Sequence, residues 1–288
     1  MIIIAGSASP ELSARLAKQL KCQLVRPELR RFPDGEFYTR IGAELKGEHA
    51  LVVQSTCHPQ NDNLIELCFL LDAAKELGAA RVTAVVPYLA YARQGKRFKP
   101  GEAISIHTVC KLIERAGADD LITIDAHHEE ITRNFSVPAY NLTAMPLLGR
   151  YINGLKLKAP VVLGADRGAS ERAKHVALEM GVDYDHLEKQ RVTPEKVITQ
   201  PKRLHVANRD VVIVDDIIST GGTIIEAAKV LRSQKVRSIY SACAHAVLAG
   251  KALQRIRSAG IRRVIATDTI EHQVSVVSVA PLIANAIH

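Results

Sequence analysis

The sequence predicts an α/β protein of two similar domains, each a mainly parallel sheet flanked by helices. Short runs such as Val211–Val214 are apolar at every position, as a strand must be when helices cover both its faces. Such runs recur, most of them leading into a segment of helical period, and this alternation closes through right-handed crossovers onto parallel sheets. The pattern occurs twice with a change near Pro138–Pro160, which divides the chain into residues 1–142 and 143–288.

In chain order, Met1-Ile2-Ile3-Ile4-Ala5-Gly6 reads as a buried strand ending in a turn. It is not read as a signal peptide, because no basic segment precedes the apolar one. Ala50–Val53 leads into a helix over Asn61–Leu77, and Val82–Val86 leads through a loop into a helix over Ile104–Arg115. Leu121–Ile124 follows as a further strand. Asn141-Leu142-Thr143 is expected to cap a helix, and Gly154–Pro160 to form a loop. Val161–Leu163 precedes a helix over Ser170–Met180, and a strand is placed near Tyr184–Glu188. Gln190–Asn208, with Pro194, Pro201 and many charges, reads as a mobile loop or a hairpin. Val211–Val214 then precedes Thr223–Leu231, Ser238–Cys243 precedes Ala249–Ser258, and Val264–Ala266 closes the series.

Composition narrows the function. The 288 residues are 47% hydrophobic and 24% charged, an ordinary globular balance. No apolar run approaches the ~20 residues of a membrane span, so a cytoplasmic protein without membrane partners is expected. The five cysteines are scattered and include no CxxC pair, which argues against a disulfide or thiolate-metal framework and for buried free thiols. A net charge of +8 calls for an anionic partner. Five Phe, seven Tyr and no Trp offer few rings for stacking bases, so phosphorylated metabolites are expected ahead of nucleic acid.

Val211–Ile224 carries the clearest chemistry. The strand delivers Asp215 and Asp216 to its carboxyl end, where open α/β sheets bind ligands. Ser219-Thr220-Gly221-Gly222-Thr223 follows and opens a helix, so loop N–H groups, hydroxyls and the helix N-terminus converge on an anion. Adjacent carboxylates would repel a bare phosphate, but sugar hydroxyls or a metal give them partners. A phosphorylated sugar satisfies both halves. Neither a GxxxxGK[ST] phosphate loop nor a GxGxxG fingerprint is present, so any ATP must be held otherwise.

This segment resembles the phosphoribosyl-diphosphate motif of type I phosphoribosyltransferases. Further segments resemble the ribose-phosphate diphosphokinase family over nearly the full chain. Gln54-Ser55-Thr56 with Pro59, Asn61-Asp62-Asn63-Leu64 and Glu66 is similar to that family's first-domain helix entry. Pro87-Tyr88 and Tyr91-Ala92-Arg93-Gln94, with Lys96 and Arg97, resemble its nucleotide-binding loop. The resemblance implies two phosphoribosyltransferase-like domains. It implies transfer of the diphosphoryl group of ATP to ribose 5-phosphate with Mg²⁺.

On the same resemblance, Phe32-Pro33-Asp34-Gly35-Glu36 is the adenine loop, reaching a neighbouring subunit in a homo-oligomer. Arg93, Gln94 and Lys96 join Phe32, Asp34 and Glu36 in holding ATP. His127, at the end of Leu121–His127, is a catalytic and metal-associated histidine, and Asp166 is the second metal-associated acid. Lys189 and Arg191 are the catalytic cations. Residue type alone leaves alternatives open. Residues 32–36 also make an ordinary turn, Tyr91–Lys99 a solvated basic loop, and Asp166 a helix N-cap. His128 and Glu129-Glu130-Ile131-Thr132 depart from the family's usual residues. Rivals are a transferase that consumes the activated sugar, a silent regulatory homologue and an RNA-binding regulator; the first has no use for the first-domain ATP segments.

Overall fold

In a computed structural model, residues 1–191, 197–201 and 205–287 are described; the side chains of residues 129, 189–191 and 197–201 lie outside that description. The chain forms two units. The first comprises Met1–Thr143, Thr269–Glu271 and Ser278–His288, and the second Ala144–Asp268 and His272–Val277. The last segment, assigned by the sequence division to the second domain, therefore packs with the first.

The first unit contains β1 (Ile2–Ala5), α1 (Pro10–Leu20), β2 (Gln23–Val25), β3 (Glu28–Arg31), β4 (Phe37–Arg40) and β5 (His49–Val53). These are followed by α2 (Gln60–Glu76), β6 (Arg81–Val86), α3 (Ser105–Arg115), β7 (Asp120–Ile124) and β8 (Ala139–Leu142). Six strands make a sheet in the order β2-β1-β5-β6-β7-β8, and β3 and β4 pair separately as an antiparallel hairpin. Every pairing in the six-stranded sheet is parallel.

The second unit contains α4 (Met145–Asn153), β9 (Val161–Gly164), α5 (Ser170–Met180), β10 (Tyr184–Arg191), β11 (Val197–Pro201) and β12 (Asp210–Ile217). Then come α6 (Gly222–Ser233), β13 (Ser238–His245), α7 (Ala252–Ser258), β14 (Ile261–Thr267) and β15 (Ser275–Val277). Its sheet runs β11-β10-β9-β12-β13-β14-β15, and among its pairings only β10–β11 is antiparallel. The final helix, α8 (Ala280–Ala286), packs on α1 of the first unit.

The expected α/β class and mainly parallel sheets are thus present. Ser170–Met180 has the predicted bounds, and the other predicted helices differ at their ends. One local expectation is corrected. Asn141 and Leu142 end β8, and α4 starts after Ala144 without a side-chain cap. The hydroxyl of Thr143 instead donates to Asp125 at 2.8 Å. Tertiary pairing with β7 takes these residues from the cap position.

Strand alternation sorts the cores. Val211 and Ile213 of β12 pack with Ala227, Ala228 and Leu231 of α6, while Val212 and Val214 pack with Ala173, Val176 and Ala177 of α5. Both faces of the strand are dry, which is why its polar residues fall at its two ends, Asp210 at the amino end and Asp215-Asp216 toward the carboxyl end.

α2 separates buried from solvent-facing apolar residues along one helix. Leu70 is 0% exposed and Ile65 is 40% exposed. Leu70→Ala is expected to destabilise the protein by about 2–5 kcal/mol, and Ile65→Ala by under ~1 kcal/mol. Urea midpoints of the two variants check this; equal shifts would contradict the inward assignment of Leu70.

Candidate functional site

The second unit has its topological switch point where β9 and β12 lie side by side. β9 leads through α5 to β10 on one side, and β12 leads through α6 to β13 on the other. Connections leaving in opposite directions open a crevice at the carboxyl ends of the two strands. Asp166 follows β9, and Asp215 through Thr223 end β12 and open α6.

The loop after β12 takes its shape from close approach. Gly221 is the N-cap of α6 at φ 75°, a left-handed conformation, and a Cβ there would come within 2.7 Å of Ile256. Gly164 is equally constrained, since its Cβ would lie 2.9 Å from the backbone of Ala169. Leu248 N–H donates to Ile218 O at 2.9 Å and Ala249 N–H to Ser219 O at 3.2 Å, bracing the loop from behind. α6 has no side-chain cap, so Ser219, Thr220 and Thr223 are not spent on capping. Within the described residues, the backbone N–H groups of Ser219 through Thr223 donate no hydrogen bond. Hydroxyls and amides at a helix N-terminus form an anion-binding surface.

Asp216 is buried and Asp215 half-buried. Asp216 N–H donates to Asp215 Oδ1 at 2.9 Å, and Arg172 Nη2 lies 3.4 Å from Asp216 Oδ2. Burial, with the Asp216 carboxyl alongside and Asp166 nearby, pushes the Asp215 carboxyl up to about 8. Burial likewise raises the Cys243 thiol, with Asp215 adding to the effect. Asp166 is exposed, and its Oδ1 accepts from Ala169 N–H at 3.2 Å, so it does cap the short 3-10 turn Arg167–Ala169.

Lys189 and Arg191 end β10, opposite Thr199 and Val197 of β11, so the charged segment does begin as a hairpin. Their side chains lie outside the described residues, as do residues 192–196 and 202–204.

In the first unit, His127 follows β7 after a turn in which Asp125 has φ 36°. That turn is held by β8: Ala126 N–H donates to Asn141 Oδ1 at 2.9 Å, and Asp125 accepts from Thr143. The rings of His127 and His128 meet edge to face at 4.6 Å. A Cβ on Gly95 would lie 3.3 Å from His128, so the loop carrying Arg93, Gln94 and Lys96 passes beside this turn. Arg93 and Lys96 are exposed, with Lys96 Nζ 5.3 Å from the Phe98 ring centre; Ser105 Oγ donates to Gln94 at 3.3 Å.

Residues 32–36 do form a turn. Gly35 N–H donates to Phe32 O at 2.9 Å, Phe32 N–H to Glu36 O at 2.8 Å, and Glu36 N–H to Asp34 Oδ1 at 3.2 Å. The turn leaves Phe32 exposed at 42%, between the Tyr38 ring and Arg30. The β3–β4 hairpin and the 91–97 loop share an anchor on α2: Arg31 pairs with Asp62, and the Tyr91 hydroxyl donates to Asn61.

The first unit has its own switch point, between β1 and β5, where Gln54-Ser55 occupies the register of Asp215-Asp216. Here the chain satisfies its own donors. Gly6 N–H donates to Val53 O, Ser7 N–H to Glu66 at 2.7 Å, Ala8 N–H to Gln54 at 2.9 Å, and Ser9 N–H to Gly6 O. At the start of α1, Glu11 N–H and Leu12 N–H donate to Glu271 at 2.8 and 3.0 Å. Sequence reading did not single out Arg172, Asn141, Thr143 or Glu271 for these roles; each acts through a partner remote in the chain or on another element.

Residues 1–117 match the family described as the N-terminal domain of ribose phosphate pyrophosphokinase, and residues 138–281 match the phosphoribosyl transferase domain. The ribose-phosphate pyrophosphokinase of Methanothermobacter thermautotrophicus is 47% identical over 284 residues, covering 99% of each chain. That of Methanopyrus kandleri is 45% identical over 100% of this chain and 98% of its own. A crystal structure of phosphoribosylpyrophosphate synthetase from Mycobacterium smegmatis is similar at a TM-score of 0.89 and 33% identity, covering 99% of this chain and 96% of that one.

The raised pKa of Asp215 has a definite sign in stability. Between the ordinary value of 3.8 and about 8, the folded protein keeps a proton that the unfolded chain has released. Stability of the ligand-free protein therefore falls as pH rises through this window, by at most ~1.4 kcal/mol per pH unit for one proton. Asp215→Asn is expected to flatten that part of a urea-midpoint profile; an unchanged slope would place the proton elsewhere.

Proposed function

We propose the following residue roles for a chain that, by these matches, belongs to the ribose-phosphate pyrophosphokinase family. Its reaction moves the diphosphoryl group of ATP to the anomeric hydroxyl of ribose 5-phosphate, giving 5-phosphoribosyl 1-diphosphate and AMP. The observation that carries the acceptor half is the loop of Ser219–Thr223 at a switch point beside two carboxylates, with no hydroxyl spent on capping α6. Ser219, Thr220, Gly221, Gly222 and Thr223 hold the 5-phosphate, and Asp215 and Asp216 hold the ribose hydroxyls. The phosphate meets donors and the hydroxyls meet acceptors, which fixes the direction in which the sugar lies.

ATP is assigned to the first unit. Phe32 stacks on the adenine, Asp34 and Glu36 accept from its amino group, and Arg93, Gln94 and Lys96 meet the phosphates. Exposed cations on a loop anchored at α2 and beside the His127 turn support this reading. Lys189 and Arg191 stabilise charge as the anomeric oxygen attacks the β-phosphorus and AMP leaves. Phosphoryl transfer is largely positioning and charge neutralisation, so two cations added to the reacting group are worth more to turnover than to binding.

Reactions of this kind are generally metal-dependent, and Mg²⁺ is the ion proposed here, with His127 and Asp166 helping to place it. Among the described residues no three His, Cys, Asp or Glu side chains converge as a metal cage. That sparse donor set fits Mg²⁺, which keeps several waters and is held by one or two protein ligands together with substrate phosphates. When bound, the ion would neutralise charge on the polyphosphate. Asp166 is exposed at the end of β9, where it can take this part while still capping Ala169. We also assign the 32–36 turn to a neighbouring subunit's site in a homo-oligomer. The described residues include no helix long and apolar enough to cross a membrane.

Incubation with Mg²⁺, ATP and ribose 5-phosphate is expected to yield AMP and the anomeric diphosphate by phosphorus NMR. Lys189→Ala should lower kcat by about 10²–10³-fold while changing the ribose 5-phosphate KM little. An unaltered kcat would remove Lys189 from the mechanism.

A further inference from the structure

Asp215 and Asp216 are treated as a pair, yet consecutive residues of a strand point to opposite faces. Asp216 continues the row of Val212 and Val214, the face covered by α5, whereas Asp215 continues the row of Val211 and Ile213 under α6. The buried acid therefore lies against α5, with a side chain only 4% exposed. Such a carboxylate needs a counter-charge and a fixed rotamer if it is to present an oxygen to a ligand.

Arg172 supplies both. It lies in the first turn of α5, six residues after Asp166, and its side chain is 21% exposed. Nη2 is 3.4 Å from Asp216 Oδ2, and Nη1 donates to the carbonyl of Gly168 at 3.3 Å. One planar guanidinium thus touches the end of β12 and the loop after β9, the two edges of the switch point. A cation in the first turn of a helix is unfavourable with respect to the helix dipole, so local helix stability does not account for it.

We propose that Arg172 is a positioning residue for sugar binding: its two-armed contact holds the Asp216 carboxylate and the Gly168 loop in the one arrangement that receives the ribose hydroxyls. This rests on the assignment of ribose 5-phosphate to the second unit. Removing the guanidinium leaves Asp216 buried beside Asp215 without this counter-charge, and the pair then turns away or takes up a proton. Either change weakens the sugar hydroxyl contacts and leaves the ATP segments of the first unit untouched.

The test is steady-state kinetics of the full-length enzyme. Arg172→Met is expected to raise the ribose 5-phosphate KM at least tenfold, with the ATP KM within twofold and kcat at saturation within about threefold. Arg172→Lys keeps the charge but not the fork, so a smaller rise, near threefold, is expected. Guanidinium ion at millimolar concentration should lower the raised KM of Arg172→Ala. A ribose 5-phosphate KM unchanged in Arg172→Met, or an ATP KM rising in parallel, would overturn the proposal. If the Met and Ala variants fail to fold, the Lys variant decides, and an unchanged ribose 5-phosphate KM there rejects the role. Thr223→Val, measured alongside, separates the two layers. A raised KM in Thr223→Val with none in Arg172→Met rejects Arg172 alone, while no effect in either rejects the ribose assignment itself.

Discussion

A parallel strand buried on both faces has nowhere to keep a polar side chain except at its ends. In β12 this constraint clears four positions of polarity, Val211 through Val214, and delivers two acids together where the sheet opens. Every crossover in a parallel sheet also returns the chain to the same edge, so the loops that follow the strands gather there. The Ser219–Thr223 loop after β12, the Asp166 turn after β9 and the His127 turn after β7 all occupy strand carboxyl ends for this one reason. The packing of the core and the placement of the chemistry are a single decision.

The two units show how the same frame can be left open or filled. At the second unit's switch point the residues in register are Asp215-Asp216, and the loop amides that follow remain available. At the first unit's they are Gln54-Ser55, and the surrounding amides are taken by Gln54, Glu66 and Glu271. Glu66 receives Ser7 N–H, Ser7 Oγ–H at 2.6 Å and Gln54 Nε2–H at 3.0 Å, a set of donors that an anion would otherwise attract. Satisfied donors no longer recruit a ligand. The first unit presents its polar groups elsewhere, on the hairpin and the 91–97 loop that meet α2 through Asp62 and Asn61.

Electrostatics distinguishes the two acids of β12 although their residue types are equal. Asp216 is turned to α5 and meets Arg172, while Asp215 is turned to Cys243 and α6, where burial and its neighbour disfavour its charge. The asymmetry follows from period-two alternation and from which helix lies over each face.

The sequence by itself determined the α/β class, most strand and helix positions, and the glycine-containing loop that opens α6. Those features are local: four consecutive β-branched apolar residues favour a strand buried on both faces, and Ser219 through Thr223 carry their own backbone freedom and donors. What it could not determine was any partner set by a distant element. Asn141 and Thr143 look like cap residues until β8 pairs with β7, which turns them onto the Asp125 turn. The C-terminal segment looks like part of the second domain until α8 packs on α1 and Glu271 meets the start of that helix. Asp215 and Asp216 look interchangeable until helices cover the two faces of β12 and bring Arg172 to Asp216. Periodicity encodes which face a residue occupies; only the tertiary structure decides what stands opposite it.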